Sequence, residues 1–215
     1  MSRLSIRSRP PLTLPECERL FRVIHAVIES EEADSSKACI FFGIAGAFLL
    51  SQNHRFKSAR PVAGVAGYNL RTPTNLAIIL GTLENGEWSS DEDNFHCWIE
   101  VDGWIVDLTA PLFDSMAPFE RKGAIVPSLM FQKPASTDFE DMNTPGAYMH
   151  LPNPELTVAL MAHFAQMPAH ADLIGICQQW YKPPPKKMVP SIEIGDQHGQ
   201  LKEVRLSPLR LEGSW

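Results

Sequence analysis

Three residues of this 215-residue chain have the types and spacing for nucleophilic chemistry: Cys39, His96 and Asp107. The last two lie in segment 94–110, Asn-Phe-His-Cys-Trp-Ile-Glu-Val-Asp-Gly-Trp-Ile-Val-Asp-Leu-Thr-Ala, which reads as two strands joined by Asp102-Gly103. Asp-Gly between alternating apolar runs signals a two-residue type I′ turn, because both turn positions need positive φ. That turn pairs Val101 with Trp104, Glu100 with Ile105, Ile99 with Val106, Trp98 with Asp107, Cys97 with Leu108, and His96 with Thr109. Paired residues share a face and successive residues alternate. One face, formed by Cys97, Ile99, Val101, Trp104, Val106 and Leu108, is wholly apolar and is expected in the core. The other carries His96, Trp98, Glu100, Ile105, Asp107 and Thr109. On it His96 is diagonal to Asp107, roughly 7–8 Å away at the backbone and within side-chain reach. A histidine oriented by an acid is two-thirds of a nucleophilic triad. Glu100 is the poorer partner: it lies roughly 13 Å along the same strand, at ~3.4 Å per residue. A slip of one residue would turn the histidine to the wrong face, so the inference depends on register.

The third member is a thiol. Residues 37–51 read as a helix that is apolar on every side, with Ile40, Phe41, Phe42, Ile44, Phe48, Leu49 and Leu50 spread around it. Such a helix is buried all round. Gly43, Ala45, Gly46 and Ala47 allow other backbone to pack closely, and Asp34, Ser35 and Ser36 are candidate caps. Cys39 falls in the first turn, where free N–H groups and the positive dipole end favour a thiolate. Cys17 and Cys177 lie on apolar helix faces and Cys97 on the apolar strand face, which are core positions.

Around these the chain reads as follows. A first helix covers 13–30, with Cys17, Leu20, Phe21, Ile24, Val27 and Ile28 on its apolar face. Strands cover 59–70 and 76–83 with a turn at 71–75 between them, and the second, a continuous apolar run, reads as a central strand. Segment 84–94 is an acidic loop running into His96. As a loop bordering a cleft, it makes Trp88 a candidate substrate-binding residue and favours a cationic substrate. Trp98 is the second such candidate, its alternative being packing against the central helix. Segment 110–151 is expected to be irregular, with short strands near 124–131. Asn153-Pro154-Glu155 starts a helix that ends at Pro168, and another follows to Tyr181. Residues 1–181 thus form one α+β domain with its core at 35–111; a Pro/Lys linker and a terminal hairpin arm with a turn near 196–199 occupy 182–215.

Composition bounds the rest. Apolar content of 44% and charged content of 20% are those of a globular protein. A net charge of −6 argues against nucleic acid as a partner. Arg3, Arg7 and Arg9 are followed by no apolar signal segment, and the apolar run 38–50 is too short to span a bilayer. No Cys-x-x-Cys spacing occurs. The expectation is a reducing cytoplasmic setting, with no membrane, metal or cofactor.

The cysteine at the start of a buried helix, with His96-x-Trp98-x-Glu100 and Gly103-Trp104-x-x-Asp107-x-Thr109 following, resembles the transglutaminase-like branch of the papain-like thiol enzymes. The resemblance covers about 35–111, and the whole chain is also similar to a bacterial family of that superfamily. It implies an α+β fold with the cysteine helix packed on an antiparallel sheet. It also implies Cys39 as nucleophile, His96 as base and acid, and Asp107 as orienting acid. The expected activity is acyl transfer through a thioester, acting on a peptide or small amide substrate. One departure stands out: no Asn or Gln precedes Gln52, so the oxyanion donor would be the Cys39 N–H plus another group. The alternatives are a catalytically inactive papain-like binding or scaffold domain and, more remotely, a metalloprotein using the scattered histidines.

Overall fold

The computed structural model describes residues 9–70, 76–116, 126–135, 142–195 and 199–215. The expected turn at 71–75, Arg3 and Arg7, and most of the expected turn near 196–199 lie outside them.

Helix α1 (Leu14–Ser30) starts with a capping box: the Thr13 hydroxyl accepts from the Glu16 N–H while the Glu16 carboxylate accepts from the Thr13 N–H. Its expected apolar face is buried, and so are Val23, His25 and Ala26, because α1 is covered on more than one side. A 3-10 turn follows at Ser35–Lys37, capped by Asp34, and α2 (Cys39–Ser51) starts two residues later than its apolar pattern implies. The serine and aspartate caps are used up by the short turn. The N-cap of α2 is Ala38, with no side chain closing the helix start. Helix α2 packs between α1 and the sheet through its small residues. A Cβ on Gly43 would sit 2.5 Å from Cys97 Sγ, and one on Gly46 2.5 Å from Leu108 Cδ1.

Among the described residues the sheet has seven strands: β1 (Arg60–Asn69), β2 (Ala77–Leu80), β5 (His96–Val101), β6 (Trp104–Asp107), β7 (Leu129–Pro134), β8 (Tyr148–Pro152) and β11 (Gly213–Ser214). The order is β11-β7-β6-β5-β1-β2, with β8 also on β1. All neighbours are antiparallel except β11 with β7. Gly64 pairs with both His96 and Pro152, and Ala66 with both Leu80 and His150. A residue has one neighbour on each side, so β8 holds one edge of β1 while β5 and β2 share the other, end to end. The 76–83 run is therefore not a central strand. It breaks after Leu80, Ile79 is 41% exposed, and residues 82–84 belong to a separate hairpin of β3 (Thr82–Glu84) and β4 (Glu87–Ser89). The presumed acidic loop thus contains ordered strand pairing.

The sheet curls. Phe131 of β7 lies 5.6 Å from Tyr148 and 5.7 Å from His150 of β8, ring to ring, although four strand steps separate β7 and β8. Curling creates two cores. The convex face packs on α1 and α2 through Ile99, Val101, Val106 and Leu108. The concave face encloses Val62, Ala66, Tyr68, Trp98, Ile105, Phe113 and Phe131. Segment 110–151 is accordingly more regular than its sequence suggests, with α3 (Phe113–Met116), β7 and β8 among its described residues. Helices α4 (Pro154–Ala165) and α5 (Pro168–Trp180) follow, with Pro168 starting α5. The C-terminal hairpin of β9 (Ser191–Gly195) and β10 (Leu201–Arg205) does not stand off as an arm. Val204 and Leu211 are buried in the same core as α1, and β11 joins the sheet.

Gly64, opposite His96, marks the tightest strand approach. A Cβ there would lie 2.0 Å from the Leu151 carbonyl oxygen, which is backbone and cannot step aside. Gly64→Ala is expected to lower stability by at least the ~1–3 kcal/mol typical of overpacking, read as a lower urea midpoint.

Candidate active site

The hairpin that carries the histidine and the acid has the register its turn dictates. Asp102 and Gly103 have φ of 50° and 78°, and the pairs Val101–Trp104, Glu100–Ile105 and Ile99–Val106 form. His96, the first residue of β5, thereby meets Asp107, the last of β6: the imidazole Nε2–H donates to Asp107 Oδ2 over 2.8 Å. Glu100 turns away to an ion pair with Arg60 at 2.5 Å.

The face bearing this pair is as deeply buried as the apolar one. His96 is 1% exposed, and Asp107 and Thr109 are at 0%. A carboxylate in that position needs partners for both oxygens, and it has them. Oδ1 accepts from the Thr109 backbone N–H at 2.8 Å and the Thr109 hydroxyl at 2.6 Å. Oδ2 accepts from His96 and from the Tyr68 hydroxyl at 2.5 Å. Burial works against the carboxylate charge, but the His96 charge and these hydrogen bonds outweigh it, and Asp107 is held well below the usual carboxylate range. Burial likewise works against an imidazolium at His96. The Asp107 charge and hydrogen bond, with an interaction with Cys39, outweigh it and raise the His96 pKa.

Cys39 supplies that last contact from the first residue of α2. With Nε2 turned to Asp107, Nδ1 is the imidazole nitrogen left for the thiol. Thiol, imidazole and carboxylate from α2, β5 and β6 are thus brought to one site. Because the first turn of a helix leaves its N–H groups without intrahelical partners, and among the described residues no side chain caps α2, the Cys39 N–H is a donor beside its own sulfur. Cys39 is 8% exposed. The other thiols are in different surroundings: burial pushes Cys17 and Cys177 up to about 12 and raises Cys97 as well. All four cysteines are free.

The two tryptophans part company. Trp88 lies half-buried on β4, paired with Leu83, in the excursion 81–95 that leaves the sheet after Leu80 and returns at His96. Because β2 and β5 are successive stretches along one edge of β1, this excursion rises where the imidazole sits. Trp98 is 0% exposed, with its ring 4.8 Å from that of His150 on the face away from α2. It packs in the concave core, not on the central helix, and offers no surface to a substrate.

Two residues that the sequence reading did not place at the site complete it. Tyr68 of β1 donates to Asp107, and His150 of β8 places Nε2 2.9 Å from the Tyr68 hydroxyl. Burial, with a smaller push from the His96 charge, lowers the His150 pKa to about 3. Tyr68 was within reach of sequence reasoning: pairing of β1 with β5 puts Gly64 and His96 on one face, and alternation brings Tyr68 to it. Nothing in the local pattern marked β8. Among the described residues no three His, Cys, Asp or Glu side chains are grouped to hold a metal ion, and no helix is long and apolar enough to cross a membrane.

A family model described as "Protein of unknown function (DUF2026)" matches residues 13–215, and the chain belongs to that family. A solved structure named "The crystal structure of genomics APC5867" is similar at 29% identity and a TM-score of 0.81, over 97% of this chain and 99% of that one. No curated protein matches.

The site makes stability depend on pH in a definite sense. His150, lowered from 6.5 to about 3, contributes stability that is present above 6.5 and lost as pH falls toward 3. Asp107, held below 3.8, adds a loss at still lower pH. His96, raised above 6.5, contributes stability that is present below 6.5 and lost as pH rises through its folded value. Urea unfolding against pH should therefore show a maximum near neutrality. His150→Phe should flatten the acid limb by up to about 1.4 kcal/mol per pH unit, the slope of one proton.

Proposed function

We propose that the chain is a cysteine acyl-transfer enzyme of the transglutaminase-like, papain-like type, acting on a peptide or small amide carbonyl. One observation carries the proposal: Cys39 at a helix start interacts with His96, whose Nε2 is hydrogen-bonded to the fully buried Asp107. The arrangement of a central helix bearing the thiol, packed on a mostly antiparallel sheet bearing the imidazole and carboxylate, supports the same reading.

The steps follow from the geometry. His96 takes the Cys39 proton, Asp107 stabilises the imidazolium that forms, and the thiolate attacks the substrate carbonyl. The oxyanion that forms is met by the Cys39 N–H, where the helix dipole also favours negative charge. Collapse breaks the carbon–nitrogen bond, and the departing amine takes the proton from His96 Nδ1, leaving a thioester. The neutral imidazole then removes a proton from water or an incoming amine, which attacks the thioester and regenerates the thiolate. No step calls for a cofactor. The acidic excursion beside His96 favours a cationic group on the substrate or the incoming amine.

A second reading, the same fold without turnover, is favoured by the burial of the site: Cys39 is 8% exposed and His96 1%. Iodoacetamide labelling of folded protein, mapped by peptide mass spectrometry, separates the two. Acyl transfer requires Cys39 to label while Cys17, Cys97 and Cys177 are spared. It also requires His96→Ala to slow that labelling by at least about tenfold, the lower range of acid–base assistance being ~10². An activated ester should leave an acyl group on Cys39 that hydroxylamine removes. Cys39 inert to both reagents in the native protein would leave the inactive domain as the better account.

A further inference from the structure

We propose that Tyr68 and His150 are positioning residues that lock the Asp107 carboxylate in one orientation and set how strongly it holds the His96 proton. The proposal rests on the thiol–imidazole–carboxylate reading above and adds two members that touch neither substrate nor sulfur.

Proton counting gives the direction of the chain. The Tyr68 hydroxyl has one proton, and at 2.5 Å from Oδ2 of a charged carboxylate that proton belongs to Asp107. Toward His150 the hydroxyl can then only accept, so His150 Nε2 carries the hydrogen in the 2.9 Å contact. His150 is thereby fixed as the neutral Nε2–H tautomer. Its Nδ1 is left as a buried acceptor with no partner among the described residues. Neutrality matters, because a second imidazolium would compete with His96 for the Asp107 charge. The apolar surroundings enforce it: the His150 ring is held among Tyr68, Trp98, Phe131 and Tyr148 at centroid distances of 5.2, 4.8, 5.7 and 6.2 Å.

The consequence falls on Oδ2, the oxygen that Tyr68 and His96 share. A short hydrogen bond from Tyr68 draws charge from that oxygen and weakens its pull on the His96 proton. Oδ1 is already occupied by Thr109, so the carboxylate cannot rotate to redistribute the charge. Removing the hydroxyl concentrates charge toward His96, which should release its proton at higher pH. Removing His150 leaves Tyr68 a weaker donor and should act in the same direction, less strongly. The titratable groups facing His96 are Cys39 from α2, Tyr68 from β1, Asp107 from β6 and His150 from β8. Cys97, next to it in β5, is kept as a thiol by burial.

The test is imidazole titration by long-range proton–nitrogen NMR on ¹⁵N-histidine full-length protein, comparing wild type, Tyr68→Phe and His150→Phe. In the wild type, His150 should show the Nε2–H tautomer throughout the range where imidazole ordinarily titrates. Tyr68→Phe should raise the His96 midpoint by about half a pH unit, a ~3-fold gain in proton affinity, and His150→Phe by less. A folded Tyr68→Phe protein with an unmoved His96 midpoint overturns the proposal, as does an Nδ1–H or charged His150. Should Tyr68→Phe not fold, the wild-type tautomer and the His150→Phe shift decide the matter alone. Cys39 labelling on the same samples keeps the two ideas apart. A labelled Cys39 with an unmoved His96 fails the positioning role only. An inert Cys39 with a shifted His96 fails acyl transfer only.

Discussion

The structure turns on a single buried charge. Asp107 is wholly removed from water and kept ionised, a state that costs several kcal/mol unless the protein replaces the lost hydration. Four donors replace it, drawn from two strands and the turn after a third: His96 from β5, Tyr68 from β1, and both Thr109 groups just past β6. That requirement ties the strands into one register. A slip of β5 against β6 by one residue would send His96 to the helix side, and a slip of β1 would do the same to Tyr68. The carboxylate thus specifies pairing that the apolar residues alone would leave less sharply defined.

The curl of the sheet follows from the same demand. A flat sheet would leave Tyr68, His96 and Asp107 open to solvent on the face away from α1 and α2. Closing β7 toward β8 brings Phe131, Tyr148 and His150 over them and seals a low-dielectric pocket in which each hydrogen bond counts for more. The helix side is organised differently. Gly43 and Gly46 bring α2 directly onto Cys97, Ile99 and Leu108, which fixes how far along the sheet the helix start reaches. That reach places the Cys39 sulfur at the imidazole, so the thiol is positioned by small residues one and two turns further along its own helix.

Much of this was legible in local sequence because the signals were local. Asp102-Gly103 dictates the turn, the turn dictates the diagonal meeting of His96 and Asp107, and an all-round apolar helix announces its own burial. What escaped was set by distant pairing. The continuous apolar run at 76–83 looked like a central strand, yet β2 stops after four residues because β5 takes over the same edge of β1. The serines and aspartate before α2 looked like its caps, but a 3-10 turn claimed Asp34 and left Ala38 at the start. Trp98 looked like a surface or helix contact because alternation gives the face and not what covers it. His150 had no signal, since β8 pairs with β1 across more than eighty residues of chain.

A core built only for stability would not need this arrangement. Replacing a buried ionic network by apolar side chains of like volume is often neutral or stabilising by ~1–4 kcal/mol, and the concave core has the aromatic neighbours to accept such a replacement. Here the network runs instead from a thiol at a helix start to a histidine held neutral beyond a tyrosine, with the two imidazoles shifted in opposite directions by their surroundings. Groups of one chemical type whose environments drive their proton affinities apart are the arrangement that separates acid and base roles in enzyme sites. The division fits the geometry: the surroundings of His96, beside Cys39, favour the protonated ring, and those of His150, two hydrogen bonds behind Asp107, favour the neutral one.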